Sequence, residues 1–250
     1  MCLRWAKSGH TTSMAKSLEV GRFRYLDALT TAFVVVLLVS NLVAQKVCRL
    51  GPFTTSAAIL LFPITYIFGD VFTEVYGFAA SRRAIWMGFF GTALLYGMGA
   101  LAIALPAAAE WPNQQAFQTV FGILPRILVA SLIAFWAGEF ANSYTMARMK
   151  LLTGGRMLWT RTVGSTVVGQ AVDTALVVTL VFGGTVPGGV LIRMIATGYA
   201  LKVGYEVLAT PLTYAVIHAL KKAEGVDAFD RNTDFNPFSF RDKERGPSTG

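Results

Sequence analysis

Charge is the scarcest property of this sequence. Only 14% of its 250 residues are Asp, Glu, Lys or Arg, whereas about 25% is usual in soluble domains. Hydrophobic residues make up 54%. A soluble globule of 27.0 kDa could not hide that much apolar surface, because at this size most side chains remain partly wet. The composition therefore excludes a soluble enzyme, a disordered chain and a collagen-like chain, and predicts a polytopic membrane protein.

Thiols and imidazoles are almost as scarce. The chain has two cysteines, Cys2 and Cys48, and two histidines, His10 and His218. Two distant cysteines cannot form a disulfide framework. Two distant histidines exclude an HExxH zinc site, a Ser-His dyad within the membrane and haem ligation, and there is no P-loop to use a nucleotide. We therefore expect no catalytic residues, no metal and no cofactor.

Long apolar runs are plentiful. A helix needs about 20 residues to cross a hydrocarbon core of about 30 Å, and no alternating pattern suggests a barrel. Six runs are long enough, namely 25–46, 53–77, 84–105, 119–147, 162–184 and 190–219. The sequence therefore predicts an all-α integral membrane protein with six transmembrane helices. This domain covers residues 25–220, between a basic segment (1–24) and a polar tail (221–250).

The net charge of +8 is explained by the position of the cations. Seventeen of the 22 Lys and Arg residues lie in the N-terminal segment, two loops and the tail, all on one side of the predicted membrane, while Lys46 and Arg49 lie on the other. By the positive-inside rule both termini are cytoplasmic, and nucleic-acid binding is not needed to explain the charge. The tail is either a disordered end or a strap against the cytoplasmic face.

Ionisable residues within the predicted spans are the most informative minority. Each costs roughly 2.5–3.5 kcal/mol in the membrane, so they must be paired, neutral or exposed to a wet cavity. Eight lie more than two positions inside a span, namely Asp70, Glu74, Glu139, Asp173, Glu206, Arg126, Arg193 and Lys202. On five spans polar and ionisable residues together recur at three- or four-residue spacing, which places them on one helical face. These stripes predict a polar central cavity to which the third span contributes nothing; the alternative is a set of interhelical hydrogen bonds.

Three glycines directly precede polar residues of these stripes, in the pairs Gly69-Asp70, Gly138-Glu139 and Gly169-Gln170. Glycine permits local unwinding where transporters place binding groups, or simply close helix packing. The first and third pairs occupy corresponding spans of a three-plus-three inverted pseudo-repeat, although the similarity is too short to establish one.

The predicted lining favours a solute carrier over a channel, which needs a repeated ring or a filter loop. Five acids against three bases leave the cavity rich in hydrogen-bond acceptors, which suits a small, planar ligand rich in donors. The amides that add to the lining are Asn41, Gln45, Asn142 and Gln170, and the aromatic rings that could stack on a ligand are Phe68, Phe72, Tyr76 and Trp136.

One stretch is specific enough to indicate a family. Residues 62–77 read FPITYIFGDVFTEVYG and are followed by Arg82-Arg83 and Trp86. They closely resemble the FPxxYxxGDxxTExYG element of the queuosine precursor transporters, within the vitamin uptake transporter group. Shorter matching pieces extend the resemblance over roughly residues 20–240, namely 41–46, 138–142, 161–174, 202–214 and 233–238.

The resemblance implies a bacterial inner-membrane importer of 7-cyano- and 7-aminomethyl-7-deazaguanine, the precursors of the tRNA nucleoside queuosine, with no ATPase of its own. On this hypothesis Asp70 or Glu74 accepts the adjacent N–H donors of the guanine-like edge, Phe68 and Tyr76 contact the base, and Asn142 and Gln170 supply amide contacts. Asn41, Gln45 and Lys46 belong to entry. The residues assigned to charge balance or proton coupling are Asp173, Glu139, Lys202, Glu206 and Arg126.

Two alternatives remain open from sequence. One is uptake of a vitamin or another nucleobase together with a separate energising module. The other is an intramembrane enzyme that uses Asp70 and Asp173 as a pair. The expected partners are the small-molecule substrate and the lipid bilayer, with a homodimer left open.

Overall fold

The computed structural model describes residues 23–44, 46–50, 53–122, 125–231 and 233–239. Gln45, most of the basic N-terminal segment and the last eleven residues of the tail lie outside these ranges. Seven α-helices dominate the described part of the chain: α1 (Leu26–Val43), α2 (Phe62–Val71), α3 (Phe78–Ala104), α4 (Gln114–Phe121), α5 (Pro125–Leu152), α6 (Leu158–Phe182) and α7 (Gly188–Glu224).

Four regions are long and apolar enough to cross a membrane. They are α1, α3, α6 and the region Gln114–Leu152, which contains α4 and α5. These regions overlap the predicted first, third, fifth and fourth spans. Large apolar side chains on their outer faces are exposed, among them Phe90, Leu94 and Val129, as contact with lipid requires. A predominantly helical, multi-pass membrane protein is therefore confirmed.

The region predicted as the second span is not one helix. β1 (Val47–Leu50) and β2 (Phe53–Ser56) form an antiparallel hairpin, and a 3-10 turn then leads to α2. Pro63 lies in the first turn of α2, where its missing N–H costs no helical hydrogen bond. The prediction of one continuous helix over 53–77 is therefore wrong, because the strands use its first residues. At 1.5 Å per residue α2 is about 15 Å long, half of a hydrocarbon core.

A buried π-helical turn, Phe72–Tyr76, follows α2 directly. Gly77 ends it with φ +87°, a conformation that L side chains rarely adopt. The chain then starts α3, whose first N–H, that of Phe78, donates to both carboxylate oxygens of Asp230 at 3.1 Å. The distant tail therefore satisfies a helix N-terminus that no local residue caps.

α7 is a single helix of 37 residues that continues through Pro211. It extends beyond the predicted sixth span at both ends and carries Lys202 and Glu206 near its middle. α7 packs against α6 and α2, so these two side chains lie opposite the polar residues of neighbouring helices.

α5 and α6 approach each other closely where two glycines meet. A Cβ atom built on Gly138 would lie 3.2 Å from the carbonyl oxygen of Gly169, and one built on Gly169 would lie 3.0 Å from that of Gly138. The two backbones are therefore in direct contact, which brings Glu139 and Asn142 of α5 alongside Gln170 and Asp173 of α6.

Residues 226–231 and 233–239, which we call the tail strap, pack across the end of the bundle where α7 ends. Arg82 donates to the carbonyl oxygen of Asp234 at 2.8 Å, and Trp86 donates to that of Pro237 at 2.8 Å. The rings of Phe235 and Phe238 pack against aromatic side chains of α3 and α5. Of the two forms open for the tail, the strap is the one that these residues adopt.

We expect Asp230→Ala to lower the free energy of unfolding by about 1–2 kcal/mol, because it removes the cap of α3 and leaves a buried N–H unpaired. The measurement is thermal unfolding in detergent, together with limited proteolysis of the tail strap. Glu110→Ala, at an exposed position, is the matched control. An unchanged midpoint and an unchanged cleavage rate would contradict the capping role.

Candidate functional site

A cavity of about 240 Å³ lies between the helices near their middle, and we call it the central cavity. Six helices contribute side chains to it, namely α1, α2, α3, α5, α6 and α7. Its polar lining consists of Ser40, Asn41, Thr65, Tyr66, Thr92, Tyr96, Ser131, Glu139, Asn142, Gln170, Asp173, Lys202 and Glu206. Seven of these residues, from Asn41 to Glu206, belong to the predicted polar stripes. The prediction of a polar cavity therefore agrees with the geometry of the bundle.

The ionisable side chains that line the central cavity are mostly carboxylic acids. Lys202 of α7 forms an ion pair with Asp173 of α6, and both side chains remain partly exposed to the cavity. Glu139 of α5 and Glu206 of α7 also border it, and among the described residues neither forms an ion pair. The lining therefore offers two carboxyl groups beyond the one held by Lys202.

The third predicted span also contributes, contrary to the sequence-based expectation. Thr92 and Tyr96 of α3 line the central cavity, and the Tyr96 hydroxyl donates to Oδ1 of Asn41 at 3.5 Å. Neither residue is charged at neutral pH, so a search for charged side chains does not find them. Their four-residue spacing was the available signal, since it places both on one helical face.

Two amides in the lining present acceptors that no protein group uses. Oδ1 of Asn142 and Oε1 of Gln170 are buried and have no hydrogen-bond partner within the described structure. Buried polar atoms without a partner are rare and costly, at roughly 1–3 kcal/mol each. Both side chains also border the central cavity, so a rotation of an amide would bring its oxygen within reach of a new donor.

The aromatic residues of the cavity differ from those predicted to stack on a ligand. Phe68 and Phe72 pack against Phe33 of α1 with ring centroids 5.9 and 5.6 Å from it. Tyr76 donates to Glu224 at 2.8 Å. Trp136 packs among Trp86, Phe140 and Phe238. The rings that border the cavity are instead Tyr66, Tyr96 and Phe135.

Asp70 lies deeper than the central cavity and is fully buried. It follows Tyr66 by one helical turn but is not among the lining residues. The amide of Asn142 approaches it without reaching hydrogen-bond geometry, so both carboxylate oxygens lack a partner. The structure thus brings Asp70 close to the cavity but does not expose it to a ligand there.

Glu74, the other residue assigned to the guanine-like edge, lies elsewhere. Its fully buried carboxylate accepts two hydrogen bonds of 2.7 Å from the Arg161 guanidinium. Lys221 lies 2.5 Å and Lys150 3.3 Å from Oε1. We call these four residues the Glu74 cluster. Sequence reasoning placed Lys150, Arg161 and Lys221 in loops and the tail, whereas the first two are 1% exposed.

Asp227 of the tail strap closes this cluster toward solvent. It contacts Lys150 and lies 2.8 Å from Lys221. Partial burial alone would raise the pKa of Asp227, but the hydrogen bonds from Lys150 and Lys221 outweigh it and hold the pKa below its usual value. With Asp227 included, three cations face two carboxylates.

Arg126, the remaining predicted coupling residue, lies at one end of the bundle. Its guanidinium donates to the carbonyl oxygens of Leu180 and Gly183, at 2.7 and 2.8 Å. It therefore caps the last carbonyl groups of α6 and does not border the central cavity. Among the described residues there is no group of three His, Cys, Asp or Glu side chains that could hold a metal ion.

Comparisons with known proteins identify the family of this chain. A family model described as "Putative vitamin uptake transporter" matches residues 56–216. The chain is also 30% identical, over 178 residues, to a "Probable queuosine precursor transporter" of Bacillus subtilis (strain 168); the alignment covers 70% of the chain and 77% of that relative. No solved structure matches. Both similarities support a transporter role, and the chain belongs to the putative vitamin uptake transporter family, as the motif in residues 62–77 predicted.

Proposed function

We propose that this protein imports queuosine precursors, 7-cyano-7-deazaguanine, 7-aminomethyl-7-deazaguanine or both, across the bacterial inner membrane. In this proposal the chain crosses the membrane six times, with both termini in the cytoplasm, and has no ATPase of its own. The observation that carries the proposal is the lining of the central cavity, where acceptors outnumber donors and aromatic rings border a small volume. A relative described as a probable queuosine precursor transporter supports it.

The size and chemistry of the cavity match such a base. A volume of about 240 Å³ is below the roughly 300–1,000 Å³ of pockets for drug-sized ligands, which suits a bicyclic base with one short substituent. The guanine-like edge carries adjacent N–H donors, which a carboxylate accepts in pairs. Tyr66 and Phe135 are positioned to pack against the ring faces.

We assign the guanine-like edge to Glu139, since Asp70 and Glu74 do not border the cavity. Glu139 is partly exposed there, and Lys202 is held by Asp173. Gln170, with its unpartnered Oε1, receives a further donor of the base, and Asn142 contributes the N–H donors of its amide. The Lys202 ammonium adjoins this site and balances part of its negative charge.

We expect Glu139→Gln and Gln170→Ala each to lower precursor uptake by about 10- to 100-fold, because a hydrogen bond between a charged or buried group and the base is worth about 1.5–3 kcal/mol. The assay uses cells that cannot synthesise queuosine and measures queuosine in tRNA after a precursor is supplied. Glu110→Gln controls for the loss of a carboxylate outside the cavity, and immunoblots of membranes control for protein level.

Two outcomes would contradict the proposal in different ways. No queuosine in cells that express the intact protein would rule out the function itself. Normal queuosine with Glu139→Gln would rule out only the assigned contact. Co-purification of an ATPase subunit required for uptake would instead favour the vitamin-type alternative with a separate energising module.

The enzyme alternative has little support in this geometry. Asp173 borders the central cavity and is paired with Lys202, whereas Asp70 is buried outside the lining. A catalytic carboxyl pair needs both groups within reach of one substrate, and these two do not share one accessible cavity.

A further inference from the structure

Three carboxyl groups at the centre of the bundle have no basic partner. Asp70 is fully buried, Glu206 is 4% exposed, and Glu139 borders the central cavity. Within the described residues none of them forms an ion pair, because Lys202 is engaged with Asp173. Glu206, Glu139 and Glu74 all lie close enough to Asp70 to act on its charge, and only Glu74 has cations of its own.

Ionising Asp70 and Glu206 at the same time would cost free energy for two reasons. An unpaired charge loses several kcal/mol of solvation in a protein interior, and two neighbouring carboxylates also repel each other. A proton on Asp70 removes both penalties. It also supplies a donor where the site has only unpartnered acceptors, the two oxygens of Asp70 and Oδ1 of Asn142. Rotating the Asn142 amide by a half-turn would direct that oxygen toward the new O–H group.

A metal ion suits this position less well than a proton. Such an ion needs several oxygen ligands around a space of its own. No group of three His, Cys, Asp or Glu side chains with suitable spacing exists in the described ranges, and the central cavity does not reach Asp70. A proton needs only a carboxylate and neighbouring titratable groups.

Titratable side chains lie on both sides of Asp70. Toward the central cavity lie Glu206 and Glu139, beside Tyr66, Asp173 and Lys202. In the other direction Glu74 follows four residues later in the chain. The Glu74 cluster then leads to Asp227, whose side chain is 46% exposed. Titratable side chains thus extend from the cavity to the surface at the tail strap.

We propose that Asp70 carries a proton during transport and that uptake of the base is coupled to proton entry. A proton that reaches Glu206 or Glu139 from the cavity is transferred to the Asp70 carboxylate, where an O–H bond forms. That bond breaks when the proton leaves on the opposite side, and the base is chemically unchanged. This inference rests on the proposed function, since it explains what drives the same transport.

The test uses the purified full chain in phospholipid vesicles that contain a pH-sensitive dye. We expect external 7-cyano-7-deazaguanine to acidify the vesicle interior of the wild type. Asp70→Asn resembles the neutral acid but cannot release a proton. We expect it to lose acidification and pH-driven accumulation by at least about tenfold, while exchange of labelled for unlabelled base stays within about threefold. Glu110→Gln, at an exposed position away from these groups, is the matched control and keeps both activities.

The outcomes separate the inference from the function on which it rests. Wild-type exchange without acidification overturns proton coupling and leaves the transport function intact, whereas no exchange by the wild type counts against the function. Acidification by Asp70→Asn overturns the role of Asp70. If that variant does not fold, Asp70→Glu is the deciding variant, because it keeps a titratable group in place. Acidification must then persist and its pH profile must shift. An unchanged pH profile would show that Asp70 does not carry the proton.

Discussion

Replacing Glu74 with alanine is expected to lower the free energy of unfolding by about 3–5 kcal/mol, the cost of removing one partner from a buried ion pair. Its carboxylate is the centre of the Glu74 cluster, with Arg161, Lys150 and Lys221 around it. Without it, the Arg161 and Lys150 side chains, each 2% exposed, remain charged. Lys150 still contacts Asp227, whereas Arg161 has no other carboxylate partner among the described residues. Thermal unfolding of the purified protein in detergent measures the loss.

Two variants make this result specific to the cluster. Arg161→Lys keeps the charge but loses the paired hydrogen bonds of the guanidinium, so we expect a smaller loss of stability. Asp227→Asn, at the half-exposed edge of the same cluster, is expected to cost about 1 kcal/mol or less. Equal midpoints for Glu74→Ala and Asp227→Asn would show that the buried carboxylate does not hold this end of the bundle together.

Gly169→Ala is expected to impair both stability and transport. The new Cβ atom would lie 2.7 Å from Cβ of Asn142 and 3.0 Å from the carbonyl oxygen of Gly138, and neither atom lies at the end of a flexible side chain. α5 and α6 must therefore move apart, at a cost of about 1–3 kcal/mol. The movement displaces Gln170 and Asn142 from each other, so we expect precursor uptake to fall about tenfold or more.

Gly204→Ala is the matched control, because a Cβ atom at Gly204 of α7 meets nothing within 4 Å. Alanine also has the higher helix propensity, so this variant should be as stable as the wild type or slightly more so. The apparent KM for the precursor separates the two roles of Gly169. An increased KM indicates a distorted cavity, whereas a reduced protein level with normal KM would indicate packing alone.

Sequence patterns predicted the helices that have the same surroundings, lipid on the outer face, along their whole length. Four long apolar runs became long helices because lipid contact requires an apolar outer face along their whole length. The spacing of Glu139 with Asn142, and of Gln170 with Asp173, correctly placed each pair beside one cavity, because residues three apart share a helical face. Periodicity therefore reports which face of a helix is polar.

Periodicity does not reveal which residues or which cavity a polar helical face contacts in the folded protein. Asp70 and Glu74 are four residues apart, yet one lies behind the central cavity and the other in the Glu74 cluster. Asp70 belongs to α2, whereas Glu74 lies within the π-helical turn Phe72–Tyr76, and residue spacing does not reveal this change of helix type. Arg161 and Lys150 were counted as loop cations because they flank apolar runs. Their burial follows from pairing with a carboxylate more than 70 residues away in sequence, which no local pattern encodes.

The tail strap has a consequence for how the bundle is made. Chains are synthesised from the N-terminus, and early segments begin to fold before later ones exist. Glu74, Lys150 and Arg161 are therefore in place before Lys221 and Asp227, and α3 enters the membrane long before Asp230 can accept its first N–H. Residues 226–239 are the last of these parts to leave the ribosome. Assembly of this end of the protein is thus a late step, in which a bundle with an open end is locked by residues made after all of its described helices.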